Sequence, residues 1–144
     1  MRILILNGPN INMLGLRQPE VYGTLTLADI EADCRKLASE LGISLEFEQS
    51  NHEGSMIDMI HAARGVQDGI VLNAGAYTHT SIAIMDAVAS AEVPTIELHL
   101  SNVHAREEFR HKSYLGRVAL GLIAGFGAAG YGLALRAMHT HLSR

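Results

Sequence analysis

Several short stretches of this sequence group side chains that can move protons or hold an anion. In Thr95-Ile96-Glu97-Leu98-His99-Leu100-Ser101, apolar and polar residues alternate. An extended strand has a two-residue period, so Ile96, Leu98 and Leu100 share one face and Glu97, His99 and Ser101 the other. A carboxylate beside a histidine fixes its tautomer, which suits a general acid working near neutrality. The same pair would also serve as a structural ion pair. Asn73-Ala74-Gly75-Ala76-Tyr77-Thr78-His79-Thr80-Ser81 joins an amide and an imidazole to a helix start, whose free N–H groups can hold an anion. Thr78, Thr80 or Ser81 can equally cap that helix. Asn10, Arg17 and Tyr22 lie on a connection from Asn7 to Gly23, longer than the roughly two to six residues usual between strand and helix. Asn102 to Lys112 is the densest charge cluster. One of its arginines could clamp a carboxylate or hydroxyl of a small substrate, or its Glu–Arg pairs could line a solvated helix face.

These stretches need elements to bring them together. Arg2 to Asn7 is a short apolar run, as in a strand buried on both faces. Leu27, Ile30, Cys34, Leu37 and Leu41 fall on one helix face, with Thr26 and Asp29 as a capping box and Gly42 as a stop. Ile43, Leu45 and Phe47 alternate with Ser44, Glu46 and Glu48, which predicts a strand with one wet face near a sheet edge. Ser55 with Asp58 opens a second helix closing near Gly65. Ile70 to Leu72 is a third strand, Ser81 to Ala91 a third helix and Thr95 to Leu100 a fourth strand. Val118 to Ala124 is a fifth strand, and Ala128 to Met138 a final helix.

Strands alternating with helices give a parallel sheet covered on both faces, with right-handed crossovers. Five strands point to a flavodoxin-like order, 2-1-3-4-5, in one domain spanning residues 1–144. Ligands in such sheets bind at the carboxyl ends of strands, beside the switch point between the first and third. The chemistry is therefore expected just after strands one, three and four, with the loop at about 14–24 as a lid.

Composition removes several classes. Of 144 residues, 48% are apolar and 18% charged, which is globular and not disordered. A net charge of −4 supplies no general basic surface, which argues against nucleic acid as main partner. One cysteine excludes a disulfide framework, and Cys34 lies on a core stripe. The N-terminal apolar run is too short for an export signal, so a reducing, cytoplasmic setting is expected. Val118 to Leu135 carries no charge over eighteen positions, but its glycines break it up, so a membrane span is not expected. Gly125-Phe126-Gly127-Ala128-Ala129-Gly130 matches a dinucleotide fingerprint, yet too little chain follows for the next strand and its acidic residue. Close helix–strand packing is the better reading. The eight histidines are scattered and lack a known metal-ligand frame.

Several motifs in register resemble those of type II 3-dehydroquinate dehydratases. They are Asn7-Gly8-Pro9-Asn10, Leu14-Gly15-x-Arg17-x-Pro19-x-x-Tyr22-Gly23 and Asn51-His52-Glu53-Gly54, then the stretches Asn73 to Ser81 and Glu97 to Arg110. The resemblance runs from strand one to Gly130-Tyr131. It implies loss of water from 3-dehydroquinate to give 3-dehydroshikimate, a shikimate-pathway step; no hydride moves and no electron sink is needed, so no cofactor is expected. By the same resemblance Tyr22 is the base, Arg17 activates it, His99 is the acid, and Asn10 and Glu97 assist. Asn73, His79, Asp86, Arg110 and the Leu100-Ser101 backbone would bind substrate. It also implies a homododecamer, a tetramer of trimers, in which Asp86 reaches a neighbouring subunit's site. Met13, Lys112 and Gly116-Arg117, in place of a more usual Ser-Pro, are departures.

The reaction needs a base, an enolate stabiliser and an acid. Tyrosinate at pH 7 costs about 4 kcal/mol, since a free phenol has a pKa near 10. Arg17, a permanent cation on the same loop, would offset much of this. Asn10, directly or through water, would serve the enolate oxygen. An imine route needs a buried lysine, and neither Lys36 nor Lys112 is well placed. Two rivals are a flavin- or nucleotide-binding module on the same fold and a metal-dependent lyase using the histidines.

Overall fold

The computed structural model of the chain covers residues 1–16 and 19–144, and for Val21 and Tyr22 the backbone. Its sheet includes an inner strand, β1 (Arg2–Asn7), in which Ile3, Leu4, Ile5 and Leu6 are all buried. β1 is paired on both edges, to β2 (Ser44–Gln49) and to β3 (Gly69–Asn73), and apolar side chains pack on both its faces, so its run has no wet face. β4 (Thr95–His99) and β5 (Gly121–Ala124) complete a parallel sheet of order β2-β1-β3-β4-β5, the expected flavodoxin-like arrangement.

Helices cover both faces. A four-residue helix, α1 (Pro19–Tyr22), precedes α2 (Leu27–Leu41). Thr26 and Asp29 cap α2 reciprocally, and Gly42 ends it at φ 69°. α2 and α5 (Ala129–Leu142) bury Ile30, Cys34, Ala38, Ala134, Leu135 and Met138 against Ile3, Ile5, Val71, Ile96 and Leu98. α3 (Glu53–Ala63) and α4 (Ile82–Ala91) pack Met56, Ile60, Ile84 and Val88 against Leu4, Leu6, Ile70 and Leu72. Alternate residues of each central strand thus feed alternate layers.

Three boundaries differ from the sequence expectation by more than one residue. α3 opens at Glu53, not at Ser55, because the Ser50 hydroxyl accepts the His52 N–H at 3.0 Å and turns the chain directly after β2. The His52 carbonyl then accepts the Met56 N–H at 3.1 Å. β5 starts at Gly121, not Val118: the Val118 and Ala119 N–H groups both donate to Leu115 O, closing a 3₁₀ turn at Leu115–Arg117. Only from Leu120, which donates to Thr95 O, does the chain join β4. α5 runs on to Leu142, past the expected end at Met138, so His139 and His141 lie in its last turns.

The apolar stretch at 118–135 is therefore turn, strand, turn and helix. Among the described residues no helix is long and apolar enough to cross a membrane. A Cβ on Gly130 would sit 3.0 Å from Leu98 Cδ1. That glycine of the apparent nucleotide fingerprint serves close helix–strand packing.

Candidate active site

Parallel pairing aligns the carboxyl ends of the central strands: Asn7 is opposite Asn73, and His99 ends β4 beside them. The loops leaving β1 and β3 then touch. Gly8 N–H donates to Asn73 O at 2.7 Å, and a Cβ on Gly8 would lie 2.5 Å from Ala74 O. Only glycine permits that approach. Gly75 answers it from the other loop: at φ 57° it too passes within reach of Pro9, whose carbonyl a Cβ would meet at 3.0 Å. The Asn-Gly-Pro-Asn and Asn-Ala-Gly-Ala motifs are two halves of one junction.

Above this junction opens a cleft of about 250 Å³. Asn10, Asn73, His79, His99, Leu100, Ser101, Arg106 and Arg110 all line it. Asn10 caps a 3₁₀ turn (Ile11–Met13) in a left-handed conformation, φ 68°. Asn51 holds that turn: its Oδ1 accepts the Asn10 N–H at 2.9 Å and Gln49 Nε2 at 3.0 Å. Asn51, from the Asn-His-Glu-Gly motif, is thus a support for the cleft wall.

At the floor, Glu97 and His99 form the expected pair. Glu97 Oε1 accepts His99 Nε2 at 2.7 Å, and both side chains are buried, at 1% and 6% exposure. An ionised carboxylate only accepts, so Nε2 carries the proton and Nδ1 is the ring nitrogen not engaged by Glu97. Ser113, which the sequence offers no reason to single out, also donates to Glu97 Oε1 at 2.7 Å.

The His79 ring stacks on His99 with centroids 6.1 Å apart and planes at 16°. Its Nδ1 donates to Lys112 O at 2.7 Å, leaving Nε2 as the other ring nitrogen. Burial pushes its pKa below the usual histidine value, and the neighbouring His99 and Arg110 charges act in the same direction. His79 is therefore a neutral hydrogen-bonding group at pH 7.

Asn73 is part of a buried network. Its Nδ2 donates to Tyr131 OH at 3.0 Å, and Tyr131 OH donates to Asn7 Oδ1 at 2.6 Å. Burial raises the Tyr131 phenol far above the ordinary tyrosine range, so it stays protonated and cannot be a base. Burial also pushes the Cys34 thiol up to about 12, which makes it inert. On the outer wall Arg110 Nε donates to Glu107 Oε2 at 2.7 Å, and Arg106 Nη1 to Ser101 Oγ at 3.4 Å. The 102–112 segment is two 3₁₀ turns (Val103–Ala105, Glu108–Arg110), not a longer helix.

The cleft gathers Asn10, Asn73, His79, His99, Leu100, Ser101 and Arg110, with Glu97 behind His99. Asp86 is not among its lining residues: it is exposed on α4. Arg17 and the Tyr22 side chain lie outside the described residues, and the Tyr22 backbone closes α1. Arg106, Ser113, Tyr131 and Asn51 were not foreseen. For Arg106 the charge cluster was a signal. For Asn51 the Asn-His-Glu-Gly motif was a signal; for Ser113 and Tyr131, contacts across 16 and 124 residues leave no local trace. Among the described residues no group of three or more His, Cys, Asp or Glu side chains is placed to hold a metal ion.

Comparison with known proteins gives one consistent result. The family model for dehydroquinase class II matches residues 1–139. A 3-dehydroquinate dehydratase of Dinoroseobacter shibae is 64% identical, over 99% of this chain and 95% of its own length. One from Ruegeria pomeroyi is 61% identical, over 98% and 95%. The crystal structure of a type II dehydroquinase from Butyrivibrio crossotus superposes with a TM-score of 0.94 at 45% identity, covering 96% of this chain and 97% of that one.

Proposed function

The chain belongs to the class II dehydroquinase family, and from that membership we infer its reaction and the roles of its residues. It is a 3-dehydroquinate dehydratase, a hydro-lyase of the shikimate pathway that converts 3-dehydroquinate to 3-dehydroshikimate. A proton leaves the carbon next to the ketone, an enolate forms, and the hydroxyl two carbons away departs as water by anti elimination.

The observation that carries the assignment of roles is the buried Glu97–His99 pair at the carboxyl end of β4, facing the cleft. Glu97 holds the Nε2 proton, so the imidazolium presents Nδ1–H as the acid for the departing hydroxyl. Tyr22 is the base, and Arg17 lowers the cost of its phenolate. Asn10 supports the enolate oxygen, directly or through a water. Asn73, neutral His79 and Arg110 orient the ring hydroxyls. The backbone N–H groups of Leu100 and Ser101 receive the carboxylate. The steps balance without hydride transfer or an electron sink, so the chemistry calls for no cofactor.

The loop at about 14–24 acts as a lid over a single catalytic domain, bringing Arg17 and Tyr22 to the cleft. In a homododecamer built as a tetramer of trimers, Asp86 serves a neighbouring cleft; its absence from the lining of its own supports that reading. Sedimentation should then give the mass of twelve 15.5 kDa chains. A cytoplasmic, reducing location suits the single cysteine.

The test follows the ultraviolet band of the conjugated product after addition of 3-dehydroquinate. Turnover should survive a chelator and borohydride. Tyr22→Phe and His99→Ala should each lose activity while remaining folded. Wild-type turnover in either variant removes that residue from its role. Bound chromophore or nucleotide in the purified protein, with no turnover, would favour a binding module instead.

A further inference from the structure

The acid's partner has a second attachment. Ser113 Oγ accepts the Gly116 N–H at 3.0 Å, so its own proton is free to point elsewhere, and it donates to Glu97 Oε1 at 2.7 Å. The residues on either side of Ser113 are also tied to the cleft. Lys112 O accepts His79 Nδ1 at 2.7 Å, and Tyr114 N–H donates to Thr78 O at 3.0 Å. Three consecutive residues thus form a strap that clasps Thr78, His79 and Glu97. Both donors to Glu97 converge on Oε1, and Oε2 is buried with no hydrogen-bond partner. This carboxylate depends on Ser113 and His99 alone among the described residues.

We infer that Ser113 is a positioning residue for the dehydration: fixed by the Gly116 N–H, its hydroxyl orients Glu97 and through it the His99 imidazole. This rests on the reading of His99 as the acid. The physical argument has two parts. A buried carboxylate held by one donor instead of two can rotate, and His99 Nδ1 then loses its aim at the cleft. The serine proton also draws negative charge from Oε1. Without it the carboxylate attracts the imidazolium proton more strongly, and His99 holds its proton to higher pH. Among the described residues the other charged or titratable groups around the pair are His79, stacked on His99, Arg106 and Arg110 on the cleft wall, and Lys112 on the strap. The substitution leaves all four in place.

In Ser113→Ala, kcat should fall about tenfold, the effect of one charge-assisted hydrogen bond, while KM changes less than about twofold. The alkaline limb of the kcat–pH profile should move up, and Ser113→Thr should restore both. Wild-type kcat and profile in Ser113→Ala would overturn the inference. So would a fall in kcat with an unmoved limb that Ser113→Thr does not restore. If Ser113→Ala does not fold, ring ¹⁵N titration of His99 in Ser113→Thr and Ser113→Cys decides. The threonine variant should titrate like wild type and the weaker-donating cysteine variant higher; equal values would refute it. Full turnover in His99→Ala would sink the acid reading itself. An inactive His99→Ala beside an unchanged Ser113→Ala would sink only the role of Ser113.

Discussion

Replacing Tyr131 by phenylalanine removes one oxygen from beneath the cleft and leaves everything else in place. Tyr131 is 1% exposed, so no water can take over. Its hydroxyl donates to Asn7 Oδ1 at 2.6 Å and accepts Asn73 Nδ2 at 3.0 Å. Asn7 keeps its other bond, Nδ2 to Glu48 O at 3.1 Å, and Asn73 Oδ1 keeps the Gly75 N–H at 3.3 Å. The loss is therefore confined to one acceptor and one donor. Each buried polar atom left unpaired costs about 1–3 kcal/mol, so the variant should lose about 2–6 kcal/mol. That is a large part of the roughly 5–15 kcal/mol of a typical domain. With a urea slope of about 2 kcal/mol per molar, the unfolding midpoint should fall by about 1–3 M. Asn73 lines the cleft, and its freed amide can turn, so KM for 3-dehydroquinate should rise several-fold with a smaller change in kcat. A double-mutant cycle with Asn7→Ala isolates the pairwise part. A midpoint within about 0.3 M of wild type would show that Asn7 and Asn73 find other partners, and would refute the reasoning.

Three further outcomes are expected. Gly8→Ala puts a Cβ 2.5 Å from Ala74 O, a backbone atom that cannot swing away. It should cost at least about 1–3 kcal/mol and most of the activity, measured by urea unfolding and product absorbance. His79 has a folded-state pKa below its unfolded value, so the neutral form favours folding. Its contribution is complete above about pH 6.5 and is lost as pH falls from there through the folded value. His79→Gln should therefore lose less of its urea midpoint than wild type between pH 7.5 and 5.5; equal losses would contradict the assignment. Cys34, 3% exposed with its thiol raised to about 12, should resist a thiol reagent in the native protein and react once unfolded. Prompt native reaction would show that α2 opens.

Much of the fold was legible because its signals are local. The 3.6 spacing of Leu27, Ile30, Cys34 and Leu37, closed by Thr26 and Gly42, defines α2 to the residue. The alternation in Thr95 to Ser101 foretells which side of β4 meets the core and which meets the cleft. Boundaries were legible only where a cap is local. β5 starts later than its residue types suggest: apolar Val118 suits a strand, but Leu115 O claims the Val118 N–H. Nothing in residue type announces that competition.

The amino-acid sequence alone determined the alternation of strand and helix, the apolar and polar faces, and the carboxylate–histidine pair, since each depends on spacings within a single element. Its motifs were also enough to indicate the family. The tertiary structure alone decided which distant groups meet. Ser113 reaches Glu97, Tyr131 ties Asn7 to Asn73, and Gly8 passes Ala74 at backbone contact. Those contacts follow from strand register and crossover path, which bring residues 16 to 124 positions apart within hydrogen-bond reach. Local spacing cannot encode that distance; only the closed sheet with helices on both faces sets it.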